Sequence, residues 1–174
     1  DGASRLQLDK NELTHPILKG NITSIYQDSE GELWIGSWEE GLHPVKTDGT
    51  IEIFEYDAKN PYSISSNFVR ACCEDNLGNI WIGTFNGLNR YDKSTGLFQN
   101  HTASDAQSDG LTHSSIWCIV KDNQGTLWLG TYFGGVNYFN PEYEIYSRYM
   151  YSPIEKKGLS NPVVGRTIED KDGN

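Results

Sequence analysis

No run of 18 apolar residues occurs anywhere in the 174 residues, so the chain contains no stretch long enough to cross a bilayer as a helix. Helical periodicity is missing too. No segment of ten or more residues keeps a 3.6-residue apolar period without being cut by Gly, Pro or Asn. Basic residues are scarce: 14 Lys and Arg face 24 Asp and Glu, giving a net charge of −10 with no Lys/Arg cluster. Nucleic acid and anionic membrane surfaces are therefore poor partners. Three cysteines, Cys72, Cys73 and Cys118, are an odd number without metal-ligand spacing. They read as small core residues, with a Cys73–Cys118 cross-link as the alternative. The four histidines, His15, His43, His101 and His113, are isolated, and neither a His-Glu-x-x-His helix nor a Gly-x-Ser-x-Gly elbow is present. With no cofactor motif, no metal-ligand set and no catalytic constellation, the expectation is a segment that is not itself an enzyme.

What the chain does have is repetition. Leu33-Trp34-Ile35-Gly36, Ile80-Trp81-Ile82-Gly83 and Leu127-Trp128-Leu129-Gly130 recur every 47 residues, each behind an Asp-x-x-Gly turn signal at Asp28–Gly31, Asp75–Gly78 and Asp122–Gly125. A fourth signal, Asp170-Lys171-Asp172-Gly173, closes the sequence. Repeats are expected at about 16–62, 63–110 and 111–158, with 159–174 a truncated fourth. Each Asp can accept from the backbone two residues on, and each Gly supplies the positive φ the turn needs. Each turn carries too few carboxylates for an EF-hand-like calcium loop, so the turn reading is preferred.

Within a repeat, short apolar runs alternate with Gly, Asn, Asp and Ser, which is a strand-and-turn pattern. The second repeat predicts strands at 68–74, 79–84, 88–91 and 97–100. Four short antiparallel strands in about 47 residues match one propeller blade, with the repeated Trp filling the space between neighbouring sheets. The fold class is therefore all-β, a partial ring of about 3.7 propeller blades. A compact four-bladed ring would require Arg5-Leu6-Gln7-Leu8 to complete the last blade; a piece of a longer ring is preferred. Open blade faces would then drive self-association of the isolated segment. The stretch 102–110 reads as an exposed loop between blades.

The string Asp75, Gly78, Trp81, Ile82, Gly83, Thr84, Gly87, Leu88, Tyr91, Asp92, with counterparts at Asp122, Gly125, Trp128, Leu129, Gly130, Thr131, Gly135, Val136, Phe139 and Asn140, resembles the two-component regulator propeller repeat. The first repeat departs from it with Ser37 in place of Thr and Trp38-Glu39-Glu40 before Gly41. The resemblance implies an extracytoplasmic, periplasmic input domain of a hybrid sensor histidine kinase, as found in Bacteroides. It implies a signalling partner, an oligosaccharide ligand, and contacts with the remaining blades and modules of the same receptor. Kinase chemistry, signal peptide and membrane anchor would lie outside this segment. Two other readings stay open: a rigid scaffold with ligand bound elsewhere, and a polysaccharide lyase or hydrolase propeller.

Repeat symmetry also sorts residues by face. The turns between second and third strands lie at the end where first strands begin, and there the chain places Trp38, Glu39, Glu40, Phe85, Asn86 and Tyr132 beside Arg70, His113 and Trp117. Rings stack on the C–H faces of a pyranose while carboxylates, amides and an Arg bond its hydroxyls, so these nine are the candidate ligand-binding residues. Trp38, Phe85 and Tyr132 recur once per repeat, which equally fits packing between blades.

Overall fold

The computed structural model describes residues 3–7, 12–18, 20–103, 110–143, 145–153 and 158–171, and among these every regular element is a strand. A hairpin of β1 (Ala3–Gln7) and β2 (Glu12–Leu18) comes first. Three antiparallel sheets follow, each with its strands in chain order. They are β3 (Ile22–Gln27), β4 (Leu33–Ser37) and β5 (Leu42–Val45); then β6 (Val69–Glu74), β7 (Ile80–Thr84), β8 (Gly87–Asp92) and β9 (Leu97–His101); then β10 (Ile116–Lys121), β11 (Leu127–Thr131), β12 (Val136–Asn140) and β13 (Ile145–Tyr149). In the first sheet the fourth strand is reduced to bridges from Phe54 to Leu42 and from Ile51 to Val45. These are propeller blades, and β3, β6 and β10 lie side by side as the innermost strands.

The strands predicted in the second repeat match β6 to β9 within two residues at each end. The condition for a four-bladed ring is not met. Arg5, Leu6 and Gln7 belong to β1, whose partner is β2, and the third sheet ends on its own β13; Leu8 lies outside the described residues. Most of the predicted 102–110 loop is likewise outside them, as are Asp172 and Gly173 of the fourth turn.

Alternation along each strand sends neighbours to opposite faces, and each face meets a different sheet. Cys72 joins Trp34, Leu42, Ile64, Val69, Ile80, Ile82, Tyr91 and Phe98 between the first and second sheets. Its neighbour Cys73 joins Trp81, Leu88, Leu111, Ile116, Ile119, Leu127, Leu129 and Phe139 between the second and third. The cysteines are free thiols, and burial pushes Cys72 up to about 12 and Cys73 to about 11, so both are inert packing groups. In the first two repeats the Trp fills the space between sheets. Trp34 packs on Tyr91 of the next blade at 5.4 Å between ring centroids, and Trp81 packs on Phe139 at 4.9 Å. The glycine ending the Trp-Ile-Gly run has its own reason: a Cβ on Gly83 would come 2.7 Å from Ile116 Cγ2, where β10 begins.

Candidate functional site

The two ends of the blades are built by different chemistry. At the Asp-x-x-Gly end, each Asp carboxylate organises its own turn. Asp75 Oδ1 accepts from the N–H groups of Leu77 at 2.8 Å and Asn79 at 2.9 Å, while Oδ2 accepts from Trp81 Nε1 at 2.8 Å. The same clamp joins Asp28 to Glu30, Glu32 and Trp34, and Asp122 to Gln124, Thr126 and Trp128. The glycines at i+3 sit at φ of 87°, 82° and 83°. The motif is thus Asp-x-x-Gly-x-x-Trp, and its aspartate is spent on donors.

One acidic group, Asp28 with Glu30 and Glu32, has its ligand oxygens within 4.8 Å of one another. Ammonium groups already meet all three. Lys93, on the β8–β9 turn of the next blade, reaches Asp28 Oδ2 at 2.7 Å and Glu30 Oε2 at 2.9 Å, and Lys46 reaches Glu32 at 3.3 Å. Burial alone would raise the Asp28 carboxyl, but Lys93, the Trp34 indole N–H and the Glu32 N–H together hold it below the usual range. Lys93 is held above its usual range because its hydrogen bonds and charge contacts to Asp28 and Glu30 outweigh its desolvation. Ser29, in the same turn, donates its N–H at 2.8 Å and its hydroxyl at 2.9 Å to the buried Glu74 of the next blade. This end is an ionic and hydrogen-bonded seam between blades.

At the other end, the turns between second and third strands are closed by main chain and by one hydroxyl. The N–H groups of Trp38, Phe85 and Tyr132 donate to the carbonyls of Asn21, Phe68 and Ser115, which are themselves spaced by 47. The hydroxyls of Ser37, Thr84 and Thr131 donate to the carbonyls of Gly41, Gly87 and Gly135 at 2.9 to 3.0 Å. Loop side chains are left out of this bonding, so the rings stay at the surface: Trp38 is 40% exposed, Phe85 54% and Tyr132 39%.

Five of the nine predicted residues form one assembly. Arg70, near the start of β6, places its guanidinium carbon 4.2 Å from the Trp117 ring centroid, 5.1 Å from Trp38 and 5.8 Å from Phe85. Trp117 stacks on Tyr132 at 5.5 Å with the planes 7° apart. Phe68 and Phe133, not among the nine candidates, extend the surface through Trp38 and Phe85 on one side and Tyr132 on the other. His113 lies beside Tyr132 and Phe133 at 6.3 and 6.4 Å, and its Nδ1 accepts the Ser115 N–H. The remaining three stand apart. Glu39 is exposed, Glu40 folds its carboxylate toward Gly20, and Asn86 is fixed by its backbone N–H on Thr84 Oγ1.

Sequence reasoning missed two fully buried asparagines that hold the connections entering each blade. Asn89 Oδ1 accepts from the Ser65 N–H and Asn137 Oδ1 from the Thr112 N–H, at 2.8 and 3.0 Å. Both follow a positive-φ glycine by two residues, a signal the sequence carries. In the first repeat the corresponding residue is His43, whose burial holds its imidazole below the usual range.

Three segments, residues 16–39, 63–86 and 110–133, match the model of the two component regulator propeller family. Among solved structures, the chain is similar over its whole length to a domain described as the extracellular part of a hybrid two component system of B. thetaiotaomicron, at 22% identity and a TM-score of 0.77. A second such domain from the same organism matches 88% of the chain at 18% identity and a TM-score of 0.72. The chain spans 23% and 20% of the length of these two. Virginiamycin B lyase from Staphylococcus aureus shares the fold over 89% of the chain and 50% of its own, at 14% identity and a TM-score of 0.65. Identities this low bear on fold alone. A comparison with curated proteins finds no match.

Proposed function

We propose that this chain, built of two-component regulator propeller repeats, is a ligand-sensing part of the periplasmic input domain of a hybrid sensor histidine kinase, and that its ligand is an oligosaccharide. The observation that carries the reading is the ring surface at one end of three consecutive blades. Trp38, Phe85 and Tyr132 are held by backbone hydrogen bonds and stay partly exposed around one arginine, which lies on the less exposed ring of Trp117. Exposed rings in a row suit the C–H faces of successive sugar units, and polar loop groups suit their hydroxyls. The blades contribute binding; phosphoryl transfer belongs to other modules of the receptor. A bound sugar changes signalling only through a different affinity for two arrangements of the ectodomain.

Thermal unfolding of the complete ectodomain against a panel of plant and host oligosaccharides tests this. Ligand at about 100 times its Kd adds roughly 2.7 kcal/mol of stability. A selective rise in Tm that is lost in Trp38→Ala and Trp117→Ala supports the reading. A rise that both variants retain assigns the ligand to another module and leaves these blades a scaffold.

A further inference from the structure

Among the described residues, the Arg70 side chain is held in place without a hydrogen bond. Its Nε is buried and has no partner, and none of the ion pairs among the described residues includes it. Acid is not in short supply, since the chain has 24 carboxylates against 14 Lys and Arg. Glu39 and Glu40 share its end of the blades and do not pair with it. What fixes the side chain is three rings from three consecutive blades, with Trp117 closest at 4.2 Å and Trp38 and Phe85 farther out. A cation on ring faces is stabilised through its π-facing plane, and its in-plane N–H donors remain available. Burial penalises the Arg70 cation, and the one neighbouring titratable group that bears on it is Tyr132. With Nε closed to solvent, the two terminal nitrogens are the donors open to a ligand, and such an end-on fork is what bidentate recognition of a planar or tetrahedral oxyanion requires.

We propose that Arg70 is an anion-recognising group within the ring surface, and that the ligand is an acidic oligosaccharide whose uronate carboxylate or sulfate takes the guanidinium bidentately while adjoining sugar rings lie on Trp38, Phe85 or Tyr132. This rests on the glycan-sensing reading above and narrows it. An anion on the terminal nitrogens of Arg70 offsets the burial of the cation, so selectivity for acidic over neutral sugars follows from desolvation as well as from contact. Lysine does not reproduce the fork.

The test uses the complete ectodomain in isothermal titration with four probes. These are an oligogalacturonide, its fully methyl-esterified form, a sulfated glycosaminoglycan disaccharide, and a neutral oligosaccharide of matched length. The expected result is binding of one acidic probe, with loss of roughly tenfold to a hundredfold on esterification or desulfation, the effect of removing one charged hydrogen-bonding pair. The oligogalacturonide and glycosaminoglycan arms decide between carboxylate and sulfate. Arg70→Met should lose a similar factor for the acidic probe, and Arg70→Lys should recover only part of it. The wild-type comparison of acid and ester needs no variant, so a folding defect in Arg70→Met leaves the question decided. Binding of the neutral probe alone, or equal binding of acid and ester with Arg70→Met unaffected, overturns the anion assignment while the glycan reading stands. No binding of any probe overturns both.

Discussion

The two ends of each blade invest their side chains differently. At the Asp-x-x-Gly end every repeat uses the same side-chain bonds, an aspartate that accepts two backbone N–H groups and an indole N–H, and in the first two repeats the ring of that tryptophan is covered by the next blade. At the ring end every repeat uses the same backbone bonds, from the first loop residue to a carbonyl 17 residues earlier. Where main chain holds the loop, side chains are released from structural duty. The Ser37–Gly41, Thr84–Gly87 and Thr131–Gly135 loops accordingly differ in length and content while the fold continues. One end secures neighbouring blades through buried rings and an ionic seam, and the other leaves its rings partly exposed.

The sharpest way to test that division is to remove an aromatic ring from each end. Trp81 is 3% exposed, donates to Asp75, and packs edge-on against Phe139. Trp81→Ala should cost about 3–5 kcal/mol, the range for truncating a buried large aromatic residue. Denaturant titration of the ectodomain reads the loss, and a cost below about 1 kcal/mol would mean that the inter-blade contact is not what stabilises this ring.

Removing the acceptor comes next. Asp75→Ala strands the N–H groups of Leu77 and Asn79 and the indole of Trp81 next to a buried cluster, at a cost of roughly 2–3 kcal/mol. Asp75→Asn keeps one carbonyl acceptor and should lose about half as much. Hydrogen exchange at the Leu77 and Asn79 amides gives the local readout, and unchanged protection in Asp75→Ala would refute the clamp.

Much of this was legible in the sequence because the repeat states it three times. The period located the blades, Asp-x-x-Gly located the turns, and the strand limits of the second repeat differ from the sheet by at most two residues. The assembly of Arg70 with Trp38, Phe85, Trp117 and Tyr132 followed from which turns share an end. What escaped depends on contacts between blades. Lys93 meets Asp28 across 65 residues, a partnership to which a single repeat gives no clue. Asn89 and Asn137 lie 48 apart because the third repeat has one more loop residue, so a strict 47-residue register conceals their equivalence. The divergence of His43 from both conceals it further.

That inter-blade ion pair sets a smaller and pH-dependent effect. The Asp28 carboxyl is depressed in the folded protein, so its contribution is present above the ordinary carboxylate value of about 3.9 and is lost as pH falls through the folded value. The Lys93 ammonium is raised, so its contribution is present below about 10.4 and is lost as pH rises through the folded value. Lys93→Met should lower stability by about 1–2 kcal/mol between those limits, because Asp28 is buried while Glu30 is exposed and screened. Its gap from wild type should narrow outside them. A gap that stays constant from pH 3 to 11 would show that Lys93 acts through its methylenes and not its charge.

The smallest effect on stability belongs to the ring end. Phe85 is 54% exposed, and its ring contacts are Phe68 at 6.1 Å and the Arg70 guanidinium at 5.8 Å, neither of them in a buried cluster. The backbone bond from its N–H to the Phe68 carbonyl and the Thr84 hydroxyl closing the loop do not involve the ring. Phe85→Ala should thus change stability by less than about 1 kcal/mol, within the span of ordinary surface substitutions. Circular dichroism melts of the ectodomain set beside those of Trp81→Ala read the contrast directly. A loss at Phe85 approaching that at Trp81 would mean that the rings near Arg70 brace the blades, and the separation of the two ends into fastening and recognition would fall.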